Sequence, residues 1–443
     1  MSKNFLKVLA LIVVLAMTLS LVACGSSDEK NDSDSNTSTD GNTTSSPAPE
    51  TVKLKIYTQY SSDDEKQPYD YAVEAMKKEM PNVELELEVE AQDDNAKIKT
   101  YAATGNLPDI YRSTTDVIEQ FIKSNNILML DDYASKFGVE NQISDAYKYI
   151  LKSSDGHIYA IPNVGPWAAT LCYNKELFDK NSVKVPGNYE EFLAAVKAFS
   201  AKDITPLAIF SKEKWPGVQL YDMLVTRLDS QGVKKLDLGN GKISEDAYKK
   251  AAERLIELVK AGLISKSAFN TNYDQACSMF NEGKAAMIIN GAWGIGMYAE
   301  KLGDKLGVLY SAPLADAADV EATRWAISGG GLNQGFSVNP KSANKDIAAE
   351  YVCKFALKFA EGRVVKRGDP NPLMKNPPQP EKGYLPQQTQ YMSDVANFKS
   401  MTCFPWGLTN AKFKEAIENN TQKLLTGEYS AEDFIKDMEK ALQ

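Results

Sequence analysis

Two periods alternate along the chain between Val52 and Tyr111, and this restricts the fold more than any other feature. Val52-Lys53-Leu54-Lys55-Ile56-Tyr57 repeats every second residue, as a strand does. The stretch from about Pro68 to Met80 has helical spacing, and Pro81-Asn82 breaks it. Val83–Val89 alternates again. A further helix is expected near Asn95–Thr104, then a short strand at Asp109-Ile110-Tyr111. Strand, helix, strand, helix, strand requires crossover connections, so the chain is α/β with a mostly parallel sheet.

The alternation returns downstream. Asn188-Tyr189-Glu190-Glu191 fits a capping box that opens a helix to about Ala201. Leu207–Phe210 reads as a strand, and Ser244 as the cap of a long amphipathic helix ending before Gly262. A helix is expected over Asp274–Glu282, with strands over Ala285–Ile289, Leu306–Ser311 and Gly335–Asn339. Ser342 or Asn344 caps a helix to about Ala360, and the last two helices fall near Asn410–Leu425 and Ser430–Leu442. Single cores stop growing at roughly 250–300 residues. A chain of 443 residues is longer than that, so two lobes are expected.

The first fifty residues read differently. Lys3 and Lys7 precede an apolar run from Val8 to Met17, and Leu21-Val22-Ala23-Cys24 closes the segment. A basic start, a short apolar run and small residues before a cut describe a secretory signal over 1–23. The closing quartet resembles a bacterial lipobox, which implies that Cys24 is acylated and becomes the mature N-terminus. Residues 25–50 contain no aromatic and no Val, Ile, Leu or Met. Such a segment cannot offset its ordering entropy, so 24–50 reads as a lipidated cysteine and a disordered tether. A flexible coil of that length spans about 30 Å, enough to hold a globular body just off the membrane of a Gram-positive cell.

Several chemistries are excluded. The net charge of −9 repels phosphate backbones, so no nucleic-acid partner is expected. One histidine, His157, permits no two-histidine metal site and weakens every histidine triad; it reads as a solvent-facing turn residue. Cys172, Cys277, Cys353 and Cys403 lie far apart without CxxC spacing and read as free, mostly buried small hydrophobes. No GxxxxGK[ST] and no GxSxG occur. Asp63-Asp64-Glu65 and Asp131-Asp132 read as solvated acidic faces, and Asp316–Asp319 supplies too few oxygens for a calcium loop. No catalytic residue, metal or cofactor is therefore expected.

The tryptophans carry the positive signal. Trp167, Trp215, Trp293 and Trp406 each stand beside or near Gly or Pro in expected loops. In α/β sheets, ligands bind at the loops beyond the strands' carboxyl ends. A large flat apolar face with one N–H donor suits the C–H face of a sugar ring.

Further motifs fall in a fixed order. They are Thr104-Gly105-Asn106-Leu107-Pro108-Asp109-Ile110, His157–Pro162 leading to Leu171–Phe178, Phe280–Met287 followed by Ile289–Trp293, Gly329–Gly335 before Asn339-Pro340, and Leu425–Asp433. In this order, behind a lipobox and tether, the chain resembles the extracellular solute-binding proteins of ABC importers, in the family that includes the maltose-binding type. The resemblance implies a two-lobed, periplasmic-binding-protein-like fold with a hinged cleft between lobes. Lobe 1 would be 51–163 plus 327–385, and lobe 2 would be 164–326 plus 386–443. Crossovers would fall near Ile161–Gly165, Arg324–Gly329 and Pro370–Pro386.

Carried over residue by residue, Gln59 and Tyr60 follow the first strand, where polar ligand contacts are expected. Arg112, Ser113 and Asp116 occupy a second contact loop. Asn290 and Trp293, with Trp406, match the stacking region, flanked by Trp167 and Trp215; Trp325 falls to hinge or core. The implied function is a monomeric, lipid-anchored subunit on the extracellular face of the cell membrane. It would capture a mono- or oligosaccharide and deliver it to a two-subunit permease driven by a separate ATPase, with no bond chemistry of its own. Two alternatives stay open: the same fold binding a peptide, amino acid or polyamine, and a surface glycoside hydrolase.

Overall fold

The computed structural model describes residues 51–443 apart from Asp94 and Gly331, and residues 50–443 form one compact unit. The leader over 1–23, Cys24 and the tether to residue 50 lie outside the described residues.

The first half of the unit follows the expected alternation. Strand β1 (Val52–Thr58) leads to helix α1 (Asp63–Glu79), β2 (Val83–Val89), α2 (Ala96–Thr104), β3 (Ile110–Ser113) and α3 (Thr115–Lys123). β1 pairs in parallel with both β2 and β3. Alternation along β1 serves both faces of the sheet. Leu54 and Ile56 join a core with Tyr69, Ala72 and Met76 of α1, whereas Tyr57 joins Ile98 of α2 and Phe121 of α3.

α1 starts five residues before the expected Pro68. Ser62 is its N-cap, and the Glu65 carboxylate accepts from the Ser61 and Ser62 N–H groups at 2.6 and 3.1 Å. Glu65 thus satisfies the donors at the helix start, and Asp63, Asp64 and Glu65 together complement the positive end of the helix dipole. Pro68 therefore sits inside the helix. It has no N–H, so the carbonyl four residues back, that of Asp64, is left without an intrahelical donor. Arg367 donates to that carbonyl at 2.9 Å.

The second half builds another sheet. β4 (Trp167–Asn174) is followed by α4 (Tyr189–Ser200), β5 (Thr205–Ala208), α5 (Trp215–Val225), α6 (Asp246–Lys260), α7 (Tyr273–Asn281), β6 (Ala285–Gly291), α8 (Gly294–Leu302) and β7 (Leu306–Leu309). Its order is β5-β6-β4-β7. β5 and β6 run parallel, but β4 is antiparallel to both β6 and β7, so this sheet is mixed. β5 lies two residues before the expected Leu207–Phe210, and α6 is capped by Glu245, one residue after the expected Ser244. The caps at Asn188, Asn410 and Ser430 fall where the sequence places them, each accepting from the backbone three residues on.

The chain then crosses back. β8 (Ala326–Ile327) pairs with a later strand and β9 (Gly329–Gly330) pairs with β4, while β10 (Gly335–Val338) pairs antiparallel with β3. α9 (Lys345–Arg367) packs on α1 and runs seven residues past the expected end at Ala360. Gly362 sits within it because the helices cross closely there: a Cβ would lie 3.0 Å from the Pro68 Cα. α10 (Pro386–Val395), β11 (Ser400–Met401), α11 (Ala411–Leu424) and α12 (Ala431–Leu442) complete the chain around the second sheet. The fold is thus two α/β lobes, each with its own sheet and core. Cys172, Cys277, Cys353 and Cys403 are all buried and free.

Candidate functional site

The carboxyl ends of the parallel strands in both sheets border one cavity of about 270 Å³. That is near the small end of ligand sites, which run roughly 300–1,000 Å³. Thr58 and Gln59 at the end of β1, Glu90 after β2, and Arg112 and Thr114 around the end of β3 line one side. Trp167, Trp215, Trp293 and Trp406 line the other.

The four indoles sit at element ends rather than in loops. Trp167 opens β4, Trp215 opens α5, Trp293 is the N-cap of α8, and Trp406 lies in a single 3-10 turn over Pro405–Gly407. Trp293 and Trp406 are half-buried, with ring centroids 6.1 Å apart and planes tilted by 37°. Phe404 stacks behind Trp406 at 5.2 Å. The other two are nearly buried and act as backing: Trp167 meets Trp293 edge-on at 4.9 Å, and Trp215 meets Trp406 at 4.7 Å. Trp293 folds back over the end of β6, where a Cβ on Gly291 would fall 1.8 Å from its ring. Glycine is the residue that permits this approach. Trp325 packs in the core against Tyr310 and Phe398.

Three arginines are held in or beside the polar wall. Arg112 donates to Glu90 at 2.9 Å. Arg363 donates to Asp369 at 2.9 Å, and its guanidinium lies 5.0 Å over the Trp167 ring. Burial pulls Arg363 down to about 10. Burial also pulls on Arg367, but Asp369 and Asp64 more than offset it, leaving that group raised. Burial pushes the Glu90 carboxyl up against the opposing pull of Arg112. Burial, helped by Asp64 and Asp63, raises Asp274 as well.

Among the expected site residues, Gln59, Arg112, Trp167, Trp215, Trp293 and Trp406 come together here. Tyr60 does not line the cavity: its hydroxyl donates to Asp70 at 3.1 Å and its ring meets Tyr69. Ser113 faces away from Arg112, as period two along β3 demands, and bonds Ser337 at 2.6 Å. Asp116 is buried, taking Thr114 at 2.6 Å and Lys99 at 3.2 Å. Asn290 is fully buried beneath Trp293, donating to Tyr298 at 2.7 Å and accepting from Gln219 at 3.0 Å through its carbonyl. Sequence reasoning missed Glu90, Gln334, Arg363 and Tyr273. Glu90 follows β2 as Gln59 follows β1, so the same rule would have found it. The others come from distant segments that only the fold brings here. His157 is about half-exposed beside Asp131, in a turn as expected. Among the described residues no group of three His, Cys, Asp or Glu is placed to hold a metal ion, and no helix is long and apolar enough to cross a membrane.

The sequence profile of bacterial extracellular solute-binding proteins matches residues 71–358. The chain belongs to that family. It is 25% identical over 272 residues to an ABC transporter extracellular-binding protein of Pyrococcus horikoshii, covering 59% of this chain and 60% of that protein. It is 26% identical over 232 residues to the multiple sugar-binding protein of Streptococcus mutans, covering 50% of this chain and 53% of that one. The matches thus span about half to three-fifths of these relatives. A solved structure described for xylan utilization by Caldanaerobius polysaccharolyticus superposes with a TM-score of 0.77 at 25% identity, covering 88% of this chain and 99% of that one.

Proposed function

We propose that this chain is the substrate-binding subunit of an ABC importer and captures a neutral mono- or oligosaccharide in the cavity between its lobes. The observation that carries the reading is the pair Trp293 and Trp406. Two half-exposed indole faces stand side by side opposite a wall of polar side chains. Stacked ring C–H groups and bonded hydroxyls are the two demands a sugar makes. The name of the Pyrococcus relative supports the ABC-transporter role, and that of the Streptococcus relative supports a sugar ligand. Gln59 and Arg112 serve as polar contacts, Trp167 and Trp215 as backing for the two platforms. Lobe 1 is taken as 51–163 with 327–385 and lobe 2 as 164–326 with 386–443, with the second crossing moved to just after Gly330 because β9 pairs with β4 of the second sheet. Ligand contacts with both lobes shift the population toward a closed state. Cys24 anchors the protein to the outer face of the membrane, and the closed monomer docks on permease subunits driven by a separate ATPase.

The protein performs no bond chemistry in this reading. Two of the acids beside the cavity are spent on structure: Glu65 caps α1, and Glu213 accepts from Trp215 Nε1 at 3.0 Å and from the Tyr273 N–H at 3.3 Å. Thermal unfolding of the protein against a panel of carbohydrates, amino acids and polyamines tests the reading. A ligand at 100 times its Kd adds about 2.7 kcal/mol of stability, so a hit raises the melting temperature. A carbohydrate hit without product formation is expected. Stabilisation by amino acids or polyamines alone, or cleavage of an oligosaccharide, would overturn it.

A further inference from the structure

The polar wall opposite the indoles is built to accept hydrogen bonds. Glu90 Oε2 and Gln334 Oε1 are buried without a hydrogen-bond partner, on residues only 9% and 5% exposed. Both residues line the cavity, Glu90 directly after β2 and Gln334 directly before β10. Asp93 Oδ1, on the same wall, is a third acceptor in this condition. Buried polar atoms in folded proteins nearly always have a partner, so three unmet acceptors around one cavity call for donors supplied from inside it.

The charges of the lining point the same way. Asp64, Glu65, Glu90, Asp93, Glu213 and Asp274 all border the cavity. The guanidiniums among them are already committed to carboxylates. Arg112 holds Glu90, Arg363 holds Asp369, and Arg367 lies 3.4 Å from Asp369 and 3.7 Å from Asp64. Lys414 is paired with Glu418 at 3.0 Å, and Lys212 stands exposed at the margin. An anionic ligand would meet six carboxylates, while each guanidinium already lies beside a carboxylate and Arg367 Nη2 is the unmet donor in the lining.

Resting on the carbohydrate reading above, we propose that Glu90 and Gln334 form an acceptor subsite that demands hydroxyl donors and rejects sugars bearing a carboxylate. Selectivity of this kind combines an attractive element, the bonded hydroxyls, with a repulsive one, the unmet carboxylate oxygens of Glu90 and Asp93. A site whose buried polar atoms go unpaired with the wrong ligand discriminates far more steeply than an apolar pocket does.

The test is calorimetric titration of the full mature chain with neutral di- and trisaccharides of glucose, galactose and xylose, beside glucuronic acid, digalacturonic acid and cellobiouronic acid. At least one neutral sugar is expected to bind, with its uronic counterpart at least a hundredfold weaker. A uronic acid that binds as tightly as its neutral counterpart overturns the subsite and leaves the carbohydrate reading standing. Absence of binding by every sugar overturns both. With the neutral ligand, Glu90→Gln is expected to raise Kd at least tenfold and to narrow the neutral-to-uronic ratio. Gln334→Met, which keeps the volume and removes the acceptor, is expected to raise Kd alone. Wild-type Kd and selectivity in both variants would refute the assignment; if Glu90→Gln fails to fold, Gln334→Met decides.

Discussion

Tyr273, the first residue of α7, donates its hydroxyl to Asp64 of α1 at 3.0 Å and so joins the flanks of the two sheets beside the cavity. Asn290 fixes the same oxygen from below, donating at 3.3 Å. Burial and the neighbouring Asp64 carboxylate hold the Tyr273 phenol well above its ordinary pKa, so it stays a donor at neutral pH. A bond to a charged partner contributes about 1.5–3 kcal/mol. Tyr273→Phe should therefore loosen the link between the two flanks and weaken ligand binding about tenfold. Small-angle scattering would show a larger unliganded radius of gyration; an unchanged radius and affinity would remove Tyr273 from the contacts that hold the flanks together.

Asp222 is a buried carboxylate that accepts from Ser328 Oγ at 2.6 Å, from Val233 N at 2.8 Å and from Thr402 Oγ1. It ties α5 to the residue before β9 and to the residue after β11. Burial pushes its carboxyl up, and those donors oppose the shift. Asp222→Ala strands all three and should cost about 3 kcal/mol in denaturant unfolding at an unchanged m-value. A loss below about 1 kcal/mol would mean that water replaces the carboxylate.

Burial pushes the thiols of Cys172, Cys277 and Cys353 up to about 12. Only the thiolate is nucleophilic, and a thiol ionises as pH rises through its pKa. At pH 8 these groups are protonated as well as covered. A Cys24→Ser chain should take up no thiol reagent when native at pH 8 and four equivalents when denatured. Rapid labelling of the native chain would show that one of the buried sites opens readily.

Cys24→Ala should move the protein from the membrane fraction to the medium of the producing cell. Continued membrane association of the variant would contradict the lipid anchor.

Legibility in the sequence followed the range of the interaction involved. β1, β2 and the caps at Asn188, Asn410 and Ser430 are set by neighbours within a few residues, so pattern alone locates them. The start of α1 is hidden because Pro68 looks like a first-turn residue, and only Arg367, far away in sequence, explains how its missing N–H is tolerated. Gly362 resembles a stop until α1 is seen lying against it. In the candidate site, the tryptophans were visible through their Gly and Pro neighbours. Ser113 looks like a contact residue beside Arg112, but period two sends Arg112 and Ser113 to opposite faces. Arg363 over Trp167 joins residues from different lobes, and no local pattern encodes that meeting.

Stacking on the indole pair is the central claim, and calorimetric titration of Trp293→Ala and Trp406→Ala with the sugar that stabilises the wild type tests it most directly. The account predicts Kd at least tenfold weaker in each, about 1.4 kcal/mol, with unfolding still cooperative. Wild-type affinity in both variants would contradict it.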